Sequence, residues 1–279
     1  MTTARETALG PAQAPVLAAR DGDAHADAVD EFRRRHPDLA LAPVAVVIPA
    51  FNEEDCIGAV LEQVPREACG LAIDTIVVDD GSADRTRDEA LAHGVYVARL
   101  DRNSGQGAAL RVGYEVARDG GAAYVITLDA DGQWDPGEVP RMLQPLVDDE
   151  ADFVLGSRVL GRAHTDDSFR QAGVHVFARL VSVLTGTRVT DTSSGLRAMR
   201  SEVTATVRQE EAQYQASELL IGAICQGYRV TERPVVMQKR TAGESKKGHN
   251  FLYGVRYGRV LLRTWWRERR SRDARSGAR

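Results

Sequence analysis

Apolar positions in the middle of this chain come in short runs rich in β-branched residues. Val44-Ala45-Val46-Val47-Ile48 is the first, followed by Ile73 to Val78, Tyr96 to Leu100, Tyr124 to Leu128 and Phe153-Val154-Leu155. Runs of this kind fit strands covered on both faces, as in a parallel sheet. Helical stretches of roughly ten residues separate them. The first is expected to start near Asn52, with Asn52 as its cap and Glu53 and Glu54 favouring its N-terminal dipole. The next ones run from Ser82 or Asp84 to about His93, from the Asn103-Ser104-Gly105-Gln106-Gly107 loop through Ala117, and onward from Pro136 and Glu138. This alternation predicts an α/β fold, a doubly wound and mostly parallel sheet with helices on both faces. Further on, the pattern predicts helices over about Phe169 to Thr185 and Glu218 to Cys225, then strand-like pieces from Tyr228 to Val236.

Both ends differ from this body. Residues 1–42 are rich in Ala, Asp and Arg with little apolar periodicity, which predicts a largely disordered tail with a short helix around Asp27 to Arg35. Residues 43–247 form the expected folded domain, and 248–279 a basic amphipathic C-terminal helix and tail. On a helical wheel, Phe251, Val255, Leu262, Trp265 and Trp266 share one face, flanked by Arg256, Arg263, Arg267 and Arg270. Such a helix either lies on a membrane surface or packs on the body with a solvated basic side.

Polar clusters recur where the predicted strands end, the edge at which open α/β sheets bind ligands. Glu53 follows the first strand, Asp79-Asp80-Gly81-Ser82 the second, and Asp129-Ala130-Asp131-Gly132-Gln133 the fourth. Two carboxylates one residue apart offer hard oxygen ligands of the type Mg²⁺ or Mn²⁺ prefers. The Gly105-x-Gly107 pair does not open a dinucleotide fingerprint, because its third glycine position is Leu110.

Taken together, Val47-Ile48-Pro49-Ala50-Phe51-Asn52-Glu53-Glu54, Val78-Asp79-Asp80-Gly81-Ser82, Asp129-Ala130-Asp131-Gly132-Gln133, Gly156-Ser157-Arg158 and Gly243-Glu244-Ser245-Lys246 form an ordered set. With these motifs the chain resembles family 2 glycosyltransferases of the GT-A fold, and within them the dolichyl- or polyprenyl-phosphate mannose synthase group. The resemblance spans Val44 to Lys247. It implies an inverting transfer of a hexose from GDP-mannose or UDP-glucose to polyprenyl phosphate. By the same resemblance Pro49, Phe51 and Glu53 line the base and ribose pocket, and Asp80 reads the base, with Asp79 as a structural cap. Asp129, Asp131 and Gln133, with Ala130 between them, match the set holding Mg²⁺ or Mn²⁺. Arg158, Arg240 and Lys246 match basic positions near phosphates, and Arg170 is placed with them by a looser alignment. One departure is Gln106, where many relatives carry Lys. Another is the lack of apolar C-terminal helices.

An anionic phosphate acceptor needs little help from a base, whereas a hydroxyl acceptor needs one within hydrogen-bond reach. Asp191 and Glu218 are the candidates for that role. The expected partners are thus a nucleotide-sugar donor, polyprenyl phosphate and an anionic membrane surface, with no nucleic acid. Alternatives are the same donor chemistry on a hydroxyl acceptor, and a nucleotide-sugar-binding module without turnover. Charge sharpens the membrane reading: the net is −4 overall, but +10 from Lys239 onward and so −14 before it. Three cysteines without metal spacing, the lack of a secretory start and the lack of an apolar run of about 20 residues predict a cytoplasmic protein, peripheral at most on the inner membrane face.

Overall fold

The structure, a computed structural model, describes residues 14–164, 168–211, 213–239 and 251–276. The first half contains α1 (Ala14–Arg35), β1 (Val44–Ala50), α2 (Ile57–Gln63), β2 (Glu67–Ala68), β3 (Leu71–Asp79), α3 (Thr86–Ala92), β4 (Tyr96–Arg99), α4 (Gln106–Asp119) and β5 (Tyr124–Thr127). A 3₁₀ turn at Pro136–Glu138 leads into α5 (Val139–Val147), then β6 (Phe153–Ala163), α6 (Ser168–Thr185), β7 (Arg197–Arg200), α7 (Ser201–Thr206), α8 (Gln215–Gln226), β8 (Val230–Met237) and α9 (Phe251–Ser276).

The main sheet runs β4-β3-β1-β5-β7-β6-β8, and β2 adds a short antiparallel pair at the start of β3. Its neighbours are parallel except around β7, which is antiparallel to β5 and β6. The mostly parallel, doubly covered sheet read from the sequence is therefore present. β1 explains why its run is apolar without a break. All seven of its residues are buried. Ala45 and Val47 enter one core with α1, α4, α8 and α9, while Val44, Val46 and Ile48 enter the other with α2 and α5. Alternate side chains of a strand point to opposite faces, so burial on both faces removes every polar position.

Three expectations are corrected. The segment expected to be largely disordered, with a short helix around Asp27 to Arg35, carries the longer α1, whose Ala24, Ala28, Val29 and Phe32 are buried in the same core as α4. Phe32 meets Tyr96 of β4 edge-on at 6.3 Å between ring centroids. Arg33 donates to Glu115 and Asp119 of α4, and His25 bonds Glu115. Alanines form half of this stripe, which lets the helices approach closely and blurs the periodicity in a hydropathy reading. Second, α2 begins at Ile57 rather than at Asn52. Asn52 is left-handed at φ 51°, and its Oδ1 accepts from Ala83 N at 2.9 Å while its N–H donates to Ser82 Oγ. The asparagine ties the loop after β1 to the loop after β3 instead of capping a helix. Third, β6 continues well past Leu155, so Arg158 stands within a strand. Its register with β8 shifts between Ser157 and Arg162, where a Cβ on Gly161 would meet Val235 O at 2.2 Å. A glycine is required there for the two backbones to pass.

α9 packs one face on the body. Tyr257, Leu261, Thr264 and Glu268 are buried, and Phe177 of α6 meets Tyr257 at 4.5 Å between centroids. No helix among the described residues is long and apolar enough to cross a membrane.

Candidate active site

The loops leaving β1, β3 and β5 share one edge of the sheet because those strands are parallel neighbours. Pro49 is buried near the end of β1, Phe51 follows it half-buried, and Glu53 takes a bond from its own N–H to Thr86 Oγ1 at 2.8 Å. Asp79 accepts from Ser82 N at 2.9 Å and pairs with Arg99, consistent with a turn-capping role. Asp80 is 3% exposed and accepts from Ser104 N at 2.7 Å and Gly105 N at 2.8 Å. Its carboxylate thus gathers the loop between β4 and α4 over the ends of β1 and β3.

The two carboxylates after β5 differ in their surroundings. Asp129 accepts from Gln106 Nε2 at 2.7 Å and from Trp134 Nε1 at 3.0 Å. Gly195 presses on it so closely that a Cβ there would lie 2.0 Å from Oδ2. Asp131 accepts from Gln133 N at 3.0 Å within its own loop. Gln133 in turn fastens the loop to the end of β8, its O accepting from Gln238 N at 2.8 Å and its Nε2 donating to Gln238 O at 3.4 Å. No group of three or more His, Cys, Asp or Glu that could enclose a metal exists among the described residues. A cation here would need oxygens from a bound diphosphate, which is how Mg²⁺ is commonly held, by one or two carboxylates plus phosphates. Both oxygens of Asp129 already face N–H donors, whereas the bond to Asp131 comes from its own loop. Gln106 serves as one of those donors. A cavity of about 570 Å³ opens beside this loop, lined by Val60, Gly132, His164, Gln238 and Lys239 among others.

Arg158 and Asp191 form a buried pair. Nε donates to Asp191 Oδ2 at 2.6 Å and Nη2 to Oδ1 at 2.8 Å, and Nη2 also reaches Ser193 Oγ at 2.7 Å. The arginine side chain is 10% exposed and Asp191 fully buried. Burial works against the guanidinium's charge, but the charge and hydrogen bonds of Asp191 outweigh it and raise the Arg158 pKa. Glu232 anchors the same loop from below, accepting from Thr190 N, Thr190 Oγ1 and Asp191 N. Burial pushes the Glu232 carboxyl up, against the downward pull of the Thr190 bonds.

Trp134 joins the two halves of the site. Its indole N–H holds Asp129, and the Arg158 guanidinium lies 5.9 Å from its ring centroid. Sequence reading did not single out Trp134. The available signal was a tryptophan, one of three in the chain, three residues after Asp131. Glu218, by contrast, is turned to another task. It is 1% exposed, accepts from Glu210 N and Glu211 N at 2.9 Å each, and pairs with Arg267 of α9 at 2.9 Å. Arg240 and Lys246 lie outside the described residues. Arg170 falls on α6, with its side chain outside them.

Comparison with known proteins places this geometry. The glycosyl transferase family 2 model matches residues 45–208. The chain is 34% identical over 226 residues to the dolichyl-phosphate hexose transferase of Haloferax volcanii, covering 81% of this chain and 95% of that one. It is 31% identical over 229 residues to the undecaprenyl-phosphate 4-deoxy-4-formamido-L-arabinose transferase of Edwardsiella ictaluri, covering 79% and 68%. Among solved structures, Mycobacterium tuberculosis glucosyl-3-phosphoglycerate synthase, in complex with Mn²⁺, UDP and glucosyl-3-phosphoglycerate, superposes with a TM-score of 0.62 at 20% identity, covering 86% of this chain and 83% of that one. That likeness concerns the fold, the GT-A architecture expected from the motifs. By the family model and by its relatives alike, the chain belongs to glycosyl transferase family 2.

Proposed function

We propose that the protein transfers a hexose from a nucleoside diphosphate sugar, GDP-mannose or UDP-glucose, to polyprenyl phosphate, inverting the anomeric carbon. The names of the relatives from Haloferax volcanii and Edwardsiella ictaluri support a polyprenyl-phosphate acceptor. The observation that carries the reading is the state of the two candidate bases. Asp191 is bound to Arg158, and Glu218 to Arg267 and two backbone N–H groups. Neither is disposed to take a proton from a hydroxyl. A phosphate oxygen is already anionic at neutral pH and requires no such base.

The roles then follow from charge and position. Pro49, Phe51 and Glu53 receive the nucleoside, with Asp80 as the acceptor for a ring N–H. Asp131 would hold a divalent cation, Mg²⁺ or Mn²⁺, against the donor diphosphate, with Asp129 and Gln133 fixing the loop around it. When bound, the cation offsets charge that builds on the departing nucleoside diphosphate. Arg158, its charge secured by Asp191, attracts the acceptor phosphate and holds its oxygen in line with C1. Arg170, Arg240 and Lys246 are further candidates for phosphate contacts. The acceptor lies in a bilayer, so the protein works as a peripheral enzyme at the cytoplasmic membrane face.

The test compares a short-chain polyprenyl phosphate with the polyprenol of the same length across a panel of nucleotide sugars. The reading predicts turnover with the phosphate ester alone. Preferred transfer to polyprenol or to a soluble hydroxyl compound would replace it with hydroxyl-acceptor chemistry.

A further inference from the structure

α9 presents two unlike faces. The inward one carries Tyr257, Leu261, Thr264 and Glu268, all buried. The outward one carries Val255, Leu262 and Trp266, which are 53%, 49% and 54% exposed. At 100° per residue these three lie within one narrow stripe. Trp265 turns away from it and packs partly against the core, so the face read from the sequence is split, and the side chain of Phe251 lies outside the described residues.

Arginines border the stripe. Arg270 lies 5.1 Å over the Trp266 ring. Arg259, Arg263 and Arg270 line a shallow groove of about 1090 Å³ together with Val255, Leu262 and Trp266. Arg263 and Arg267 are engaged by Glu210. Arg256, Arg259 and Arg270 are exposed. An exposed Trp-bearing apolar stripe with exposed arginines beside it is matched to a partner that is apolar and anionic at once.

We infer that this outward face of α9 docks on an anionic lipid bilayer, the stripe entering the boundary between headgroups and acyl chains and the arginines meeting lipid phosphates. A nucleic acid would satisfy the arginines but leave Val255 and Leu262 against water, so lipid accounts for more of the surface. The inward face gives the docking a bearing on the site. The Tyr257 hydroxyl bonds Thr192 Oγ1 at 2.8 Å and also bonds Ser217 Oγ. Thr192 adjoins Asp191, the partner of Arg158, so the docked helix is tied directly to the loop that would receive the acceptor phosphate. This inference deepens the lipid-phosphate reading and rests on it for the purpose of docking, but the binding itself is measurable without acceptor or donor.

The experiment sediments the full-length protein with phosphatidylcholine vesicles and with vesicles containing phosphatidylglycerol as well, at low and high salt. Binding at least about tenfold stronger to the anionic vesicles, weakened by salt, is expected. Leu262→Ser combined with Trp266→Ser, and separately Arg256→Gln, Arg259→Gln and Arg270→Gln together, should each lower that binding about tenfold or more. Melting temperature and turnover on a water-soluble short-chain acceptor should stay as in the parent, since all five side chains face solvent. No vesicle binding, binding indifferent to lipid charge, or retention on a DNA duplex in place of vesicles would overturn the inference. The comparison of two lipid compositions decides the matter on the parent protein, even if a variant folds poorly. Vesicle binding without lipid-phosphate turnover would leave the docking face standing and remove the acceptor reading alone.

Discussion

Asp191→Asn separates a carboxylate that holds an arginine from one that removes a proton. In the structure Asp191 is fully buried, takes two side-chain bonds from Arg158 at 2.6 and 2.8 Å, and accepts from Ser193 N at 3.1 Å. The substitution keeps the volume and one acceptor oxygen but removes the charge opposite a guanidinium that is itself 10% exposed. Breaking a buried pair on one side costs about 3–5 kcal/mol, because the remaining charge is left uncompensated. Arg158 retains Ser193 Oγ and a narrow opening to solvent, so the lower end, about 3 kcal/mol, is expected. At about 2–4 °C per kcal/mol for a chain of this size, the melting temperature should fall by roughly 6–12 °C. Urea denaturation measures the first effect, and steady-state transfer with donor and lipid phosphate varied in turn measures the second. Loss of arginine orientation should raise the KM for lipid phosphate more than the KM for donor. If Asp191 were instead a general base, the variant would keep its stability, lose about 10²–10⁴-fold in kcat, and lose the acidic limb of its pH profile. That combination would refute the pairing argument.

Asp131→Asn should lower transfer by about 10²–10³-fold with little change in melting temperature, and EDTA should do the same to the parent; full activity in EDTA would remove the cation from the mechanism. Phe32→Ala, at a side chain 2% exposed against α4 and β4, should cost about 3 kcal/mol in urea denaturation, whereas a tail without structural role would cost nothing. Arg229 hydrogen bonds hold the Asp152 carboxyl down to about 2, with Arg200 adding to the effect. Its folded pKa is depressed, so its stabilising contribution is complete above the ordinary Asp range near about 4 and is lost as pH falls toward 2. Between pH 5 and pH 3 the parent should therefore lose more stability than Asp152→Asn, and equal losses would contradict the assignment.

What was legible in the sequence was local. The unbroken run of β1 could be read because burial on both faces leaves no polar residue, and the acidic loops could be read because parallel strands send their ends to one edge. What was hidden depends on distant partners. Asp191 looks like a base until Arg158, 33 residues earlier, takes both its oxygens. Glu218 looks like a helix-terminal acid until Arg267, 49 residues later, pairs with it. Trp134 has no meaning alone; its indole matters because Asp129 and Arg158 lie on either side. α1 was read only as a short helix around Asp27 to Arg35 because alanine spacing carries little hydropathic contrast, although Ala24 and Ala28 are what allow it to nest on α4. The extension of β6 through Gly161 reads as a loop, since glycine in a strand signals a break unless a neighbouring backbone is known to pass there.

The central claim is a sugar joined to a lipid phosphate with inversion. Its most direct measurement incubates the protein with Mg²⁺ or Mn²⁺, GDP-mannose or UDP-glucose, and a short-chain polyprenyl phosphate, and examines the lipid by mass spectrometry and NMR. The account predicts a lipid that gains one hexosyl unit through its phosphate, with the anomeric configuration opposite to that of the donor. A lipid phosphate left unchanged while the hexose moves to a hydroxyl acceptor, or a product that keeps the donor's configuration, would contradict it.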